Sequence, residues 1–243
     1  MAVDTQLEAE APNAAGRNLL DALSVPARLA AALDQAAGRL TGLIAIAGPG
    51  AEDTAVALHR HYGIALAGLV ADRIAANEAV EAADRGLVLA WFDSGDAVGT
   101  ILQLRRLAND RFALAAALRL VIAQRLAPGL CRTCREPVQA FGSRAALLGL
   151  DPGAILWAAP GCDSCGGSGR HGQVRIFEGF EIDPAMRRLI YDGADAPLLA
   201  RHAFLSAANF ASAARALARE GVIAPEEAVG ASRNDLALRE SPR

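Results

Sequence analysis

The stretch Leu43–Arg60, LIAIAGPGAEDTAVALHR, decides how this chain is read. The apolar run Leu43–Ala47 has the character of a strand. Gly48-Pro49-Gly50 turns the chain, and Thr54–Arg60 follows with a helical pattern. Strand, glycine turn and helix are the layout of a phosphate-binding loop, which needs a lysine for the β/γ-phosphates and a Ser/Thr hydroxyl for magnesium. This turn carries Glu52 and Asp53 instead. Three readings follow: a working nucleotide site, a lapsed one, or a plain turn between strand and helix.

The rest of the composition sharpens the question. The chain has no lysine; all 24 basic residues are arginine. A compositional bias from Lys to Arg accounts for this, and the high alanine content fits it. The chemical consequence stands regardless, because a long, planar, forked guanidinium does not replace a compact ammonium in a phosphate loop. The 243 residues are 53% hydrophobic, enough for one large domain or two small ones. A net charge of -3 and 5% aromatic residues argue against a nucleic-acid binder. No apolar run approaches the ~18 residues of a membrane span. The acidic start MAVDTQLEAEAPNAAGR lacks the apolar core of a signal peptide, so a cytoplasmic protein is expected.

Residues 1–17 are small and polar and are expected to be a disordered lead, as are 233–243 as a tail. Residues 18–40 have leucines at near-helical spacing. Continuous apolar runs at 43–47, 64–70 and 87–92 predict strands covered on both faces. Helices are expected at 54–60, 73–84, 97–107 and 112–126. The alternation argues for an α/β fold with a parallel sheet. Asp93 and Asp96 offer cap oxygens to the following helix, a better reading than a catalytic carboxylate pair. After Pro128 the pattern breaks into a Gly- and Cys-rich segment. A strand is then expected at 174–180, a helix capped by Asp183 before Pro184, and helix over 196–220.

All four cysteines fall in two C-x2-C pairs, Cys131/Cys134 and Cys162/Cys165. Two such knuckles can place four thiolates tetrahedrally around a structural zinc ion, a closed shell that holds structure and does not activate water. Two redox pairs or unliganded thiols are the rivals. The histidines are scattered; His171, beside the second knuckle, is superfluous as a ligand. Arg105-Arg106 and Arg187-Arg188 read as solvated helix faces, Trp91 as core, and Gln124-Arg125 as packing or pairing residues.

These residues together resemble the C-terminal ATPase half of the type II secretion and type IV pilus assembly ATPases. The resemblance rests on GLIAIAGPG, on ANEAVEAADRGLVLAWFDSGDAV, on LRLVIAQRLAPGLCRTC, on CDSCGGSGRHGQVRIFEGFEID, and on the closing MRRLIYDGA and LAREGVIAPEEAV. It runs from about Leu19 to Val229, and the A-Q-R-L-x4-C-x2-C run with its second knuckle is its most specific part. It implies a trimmed RecA-like core at 18–130, a tetracysteine zinc module at 131–172, and a C-terminal strand and helical segment at 173–232.

The departures are equally informative. Thr54 stands where the family has its phosphate-loop lysine, and Ala55 where it has the magnesium-binding hydroxyl. Leu69 stands where the Walker B acid belongs, and Asp93 where the histidine box has histidine. Only a few residues join His59 to Gly63, where the family has several dozen. The resemblance therefore implies a vestigial phosphate loop at Gly48, Gly50 and Thr54, no catalytic residues, and no tight ATP·Mg site. Glu52 and Asp53 would oppose phosphate by about 1 kcal/mol per like-charge pair in water and about 4 at an effective dielectric of 20. The helix amides return only about 0.3–1 kcal/mol.

The expected role is structural or regulatory, by docking on an active secretion or pilus ATPase or on inner-membrane assembly proteins. The protein would then be cytoplasmic and reach the inner membrane only through partners. A nucleotide-binding or slow ATPase subunit of the same machinery is the alternative, and a stand-alone zinc-dependent interaction module the second.

Overall fold

The structure, a computed structural model, describes residues 19–140, 146, 148, 149, 151 and 153–232. The expected lead 1–17 and tail 233–243 lie outside the described residues. The framework is a five-stranded sheet in the order β2-β3-β1-β4-β7. Its strands are β1 (Gly42–Ala47), β2 (Ala65–Leu69), β3 (Leu87–Phe92), β4 (Leu118–Leu130) and β7 (Arg170–Glu181). The pairs β1–β3, β1–β4 and β2–β3 are parallel, and β7 runs antiparallel to β4. The sheet is thus α/β and mostly parallel, with one antiparallel edge strand. A separate hairpin pairs β5 (Glu136–Gln139) with β6 (Ile155–Ala158).

The expected strands and the helices at the first three sites are found, but β2 stands at the sheet edge with Leu66 and Leu69 exposed, not covered on both faces as its apolar run predicts. They are α2 (Ala51–Tyr62), α3 (Arg73–Arg85) and α4 (Ala97–Leu107), preceded by α1 (Ala27–Ala37). Helix α3 starts on Asp72, whose carboxylate accepts from the Ala75 amide, and α4 on Asp96, which accepts from Gly99.

Two helix expectations fail. The helix predicted over 112–126 ends early: α5 covers only Arg111–Ala117, and β4 begins at Leu118. Alanine carries the helical pattern into this segment. From Leu118 onward almost every residue is buried between two neighbouring strands, which satisfy its backbone on both edges. Tertiary pairing overrides local propensity here. The single helix expected over 196–220 is two, α7 (Ala196–Ala203) and α8 (Phe210–Arg219), the second capped by Asn209. Between β7 and α7 lies α6 (Pro184–Asp192), capped by Asp183 as expected. Helix α9 (Pro225–Ser232) closes the described chain.

Alternation along β1 and β4 builds two apolar layers. Ile44, Ile46, Leu120 and Ile122 pack against Leu29, Leu33, Ala55 and Leu58 of α1 and α2. Leu43, Ala45 and Val121 face the other way. That layer also holds Val80 of α3 and Ile101 and Leu104 of α4, and it continues into Ile190, Leu199, Phe210 and Ala214 of the C-terminal helices. Because Ile122 sits at the centre of the first layer, Ile122→Ala is expected to cost about 2–5 kcal/mol. Urea denaturation with an unchanged slope would check this.

Candidate functional site

The glycine turn lies where β1 hands the chain to α2. Strand β1 ends at Ala47 and α2 begins at Ala51, so only Gly48–Gly50 form the turn. Gly48 takes a φ of 96°, and a Cβ there would collide with the Gln124 carbonyl. Gly50 takes a φ of 73° and opens the helix. The Ala51 amide donates to the Gly48 carbonyl, and the Thr54 amide to that of Gly50. Two amides that a phosphate loop would aim at a ligand are therefore spent inside the turn and the first helical turn.

The floor of the turn is filled by a side chain. Gln124, on β4, is fully buried. Its Nε2 donates to the Pro49 carbonyl at 2.6 Å, and its Oε1 accepts from the Thr54 hydroxyl at 2.7 Å. Thr54 is 2% exposed. Gly48, Gly50 and Thr54 are thus brought together as expected, and Gln124 bolts them shut. The sequence marked Gln124 as a packing residue; what it could not show is that its partners are the loop itself. Opening this latch would strand a buried amide and a buried hydroxyl, at about 1–3 kcal/mol each. The helix N-terminus would return at most about 1 kcal/mol to an anion, and Glu52 and Asp53 already occupy that end.

The other positions that the resemblance compares with a nucleotide site offer no clustered chemistry. Leu69 ends β2 and is 43% exposed, and Asp93 follows β3 as an exposed side chain. Of the expected cap pair only Asp96 caps a helix. Trp91 packs partly buried against the α1–α2 layer. On the face of β4 opposite Gln124, Arg125 lies 4.1 Å from the Phe210 ring centroid and donates to the Gly95 and Ala231 carbonyls. Beside it Glu178, buried on β7, accepts from the amides of Ala97 and Phe210 at 2.9 and 3.0 Å. Burial raises the Glu178 pKa, and the two amides and Arg125 oppose that rise. This carboxylate ties α4 and α8 to the sheet. Its only trace in the sequence is one acid inside an apolar strand.

The four cysteines do converge. Cys131 and Cys134 follow the end of β4, and Cys162 and Cys165 lie on a short 3-10 turn just before β7. Their sulfurs all lie within 4.8 Å of one another, with Sγ–Sγ distances of 3.9 Å (Cys131–Cys162), 4.0 Å (Cys134–Cys165) and 3.8 Å (Cys162–Cys165). A tetrahedron of thiolates ~2.3 Å from a central ion has edges of about 3.8 Å, so the donor set fits one tetrahedral metal ion. The amides of Cys162 and Gly169, each 3.2 Å from Cys165 Sγ, pull that thiol down to about 6. Burial pushes Cys134 up to about 12, and the neighbouring thiols add to the rise. His171 is exposed and stays outside the cluster.

Comparison with known proteins agrees with this geometry. A family model described as Type II/IV secretion system protein matches residues 58–230, which include all four cysteines. The chain is 34% identical over 181 residues to the type II secretion system protein E of Pseudomonas aeruginosa, covering 73% of this chain and 36% of that protein. It is 30% identical over 180 residues to the type IV pilus assembly ATPase PilB of Myxococcus xanthus, covering 71% and 32%. The chain thus spans about a third of the length of these relatives. Among solved structures, the Legionella pneumophila ATPase DotB superposes with a TM-score of 0.59 at 11% identity, covering 91% of this chain and 65% of that one. The pilus retraction motor PilT with bound ADP gives 0.57 at 18% identity, covering 97% and 71%. At these identities the likeness is one of fold.

The latch makes a direct prediction. Gln124→Ala leaves the Thr54 hydroxyl and the Pro49 carbonyl without their partner, and should cost about 2–4 kcal/mol in chemical denaturation.

Proposed function

Because the chain belongs to the type II/IV secretion system protein family, we propose that it is a non-hydrolysing member with a structural or regulatory role in secretion or pilus machinery. The observation that carries this is the Gln124–Thr54–Pro49 latch in a chain without lysine. Hydrolysis by a phosphate loop needs a phosphate clamp, a magnesium ligand and a residue to orient water. Thr54, Ala55 and Leu69 supply none of these. No copy of the chain can lend a lysine to another. The partners are an active ATPase of the machinery or its inner-membrane assembly proteins, with no role for nucleic acid. The protein works in the cytoplasm and reaches the inner membrane through those partners. Among the described residues no helix is long and apolar enough to cross a membrane.

In this reading 18–130 is the lapsed nucleotide-binding core, 131–172 a zinc module, and 173–232 the C-terminal segment. Cys131, Cys134, Cys162 and Cys165 hold a zinc ion that cross-links the end of β4 to the start of β7. Four thiolates leave it no open position, so it serves the fold.

Amide-resolved NMR with Mg·ATP at millimolar concentration tests the first claim. No saturable shift of Gly48, Gly50 or Ala51 and no phosphate release above background are expected. A saturable shift at those amides would overturn the reading and make the chain a nucleotide-sensing subunit or a slow ATPase. For the metal, the purified protein should carry one zinc per chain. Chelation should lower the melting temperature by several degrees, and Cys165→Ser should abolish stoichiometric zinc. An unchanged melting temperature after complete removal would refute a structural role.

A further inference from the structure

Around the loop between α4 and α5, three guanidinium groups share one cleft with no counter-charge paired to them among the described residues. Arg105 and Arg106 lie in the last turn of α4 and Arg111 at the start of α5; with Gly99 and Leu102 they line a cleft of about 520 Å³. Arg105 and Arg111 converge on Gly193, which follows α6 with a φ of 83°. A methyl group at Gly193 would lie 3.1 Å from Nη1 of Arg111 and 3.4 Å from Nη2 of Arg105. Arg105 is anchored there by donation to the Ala194 carbonyl, yet its Nε is buried with no hydrogen-bond partner.

The nearby acids are engaged elsewhere. Asp110 caps α5 through the Phe112 and Ala113 amides, Asp192 pairs with Arg188 at 2.6 Å, and Asp195 caps α7 through Leu198. Helix stability accounts for only part of the cluster. Arg105 and Arg106 favour the C-terminal end of α4, whereas Arg111 stands in the first turn of a helix, where a cation is disfavoured. The pKa of Arg105 is lowered by burial first and by the Arg111 charge second.

We propose that Arg105, Arg106 and Arg111 form a binding site for a phosphate group, separate from the vestigial loop. A phosphate dianion matches the cluster better than a carboxylate does. It neutralises two of the three charges, and its tetrahedral oxygens can accept from two guanidinium forks at once. The exposed pair Phe112 and Tyr191, with ring centroids 6.2 Å apart, lies next to Arg111 and two residues before Gly193 in sequence and offers apolar surface to whatever carries the phosphate.

The test is titration of the full, zinc-loaded chain with pyrophosphate, read at the Gly193 and Ala194 amides and by calorimetry. One saturable site is expected, weakened at least ten-fold by Arg111→Glu and by Arg106→Glu, both exposed positions, with melting temperatures unchanged. Arg111→Lys, which keeps the charge and loses the fork, should bind more weakly than the unaltered chain and more tightly than Arg111→Glu. Parallel titration with vesicles containing phosphatidic acid identifies the source. Binding to both probes, lost in Arg111→Glu, places the phosphate on a lipid; binding to pyrophosphate alone places it on a soluble molecule. No saturable pyrophosphate binding, binding undiminished in both glutamate variants, or tighter binding of a polyglutamate peptide would each overturn the proposal. The outcome is independent of the latched loop, because ATP held through its phosphates here would shift Gly193 and Ala194 and leave Gly48–Ala51 still.

Discussion

The structure depends on the position of one strand. Leu118–Leu130 pairs in parallel with β1 on one side and antiparallel with β7 on the other, and nearly all of it is buried. Its alternation sends Gln124 into the turn after β1 and Arg125 the opposite way, over Phe210. Its end delivers Cys131 to the start of β7, where the second knuckle lies. One strand therefore carries the latch and the anchor of the C-terminal helices, and leads directly into the first cysteine pair.

The glycine turn and the cysteine cluster differ for physical reasons. A phosphate loop needs amides and a floor free for a ligand, and here protein groups hold two of the turn's amides and its floor. The amides of Ala51 and Thr54 bond within the turn and the first helical turn, and Gln124 supplies a neutral floor hydrogen-bonded to Pro49 and Thr54. The cysteine site needs only four sulfurs at the right separations. Those are held by the β4–β7 pairing and by the tight turns of the second knuckle. A Cβ on Gly169 would collide with the Ala159 carbonyl, so that turn depends on glycine.

Much of this was legible in the chain. The apolar runs at 43–47 and 87–92 gave strands at those places because a strand buried on both faces must be apolar throughout. Asp96 and Asp183 marked helix starts because short acids satisfy the free amides there. The cysteine spacing announced a tetrahedral donor set. The segment 112–126 was misread because alanine favours helix locally, while the two partner strands that hold Leu118–Leu126 extended are distant in sequence. The β5–β6 hairpin gave no periodic signal over its four-residue strands.

What the sequence by itself determined is chemical identity: no lysine for a phosphate loop, no acid at Leu69, four thiols in two knuckles. Those facts hold in any fold. What only the tertiary structure decided is who meets whom. Gln124 lies 70 residues from Thr54, and Glu178 lies 81 residues from the amide of Ala97 that it caps. Such contacts are set by strand register and helix placement, in which one residue of slip turns every side chain to the opposite face. The gathering of Arg105 and Arg111 over Gly193 belongs to the same class: their identity lies in the sequence, but their convergence depends on α6 packing beside α5 and on the Ala194 carbonyl meeting Arg105 of α4.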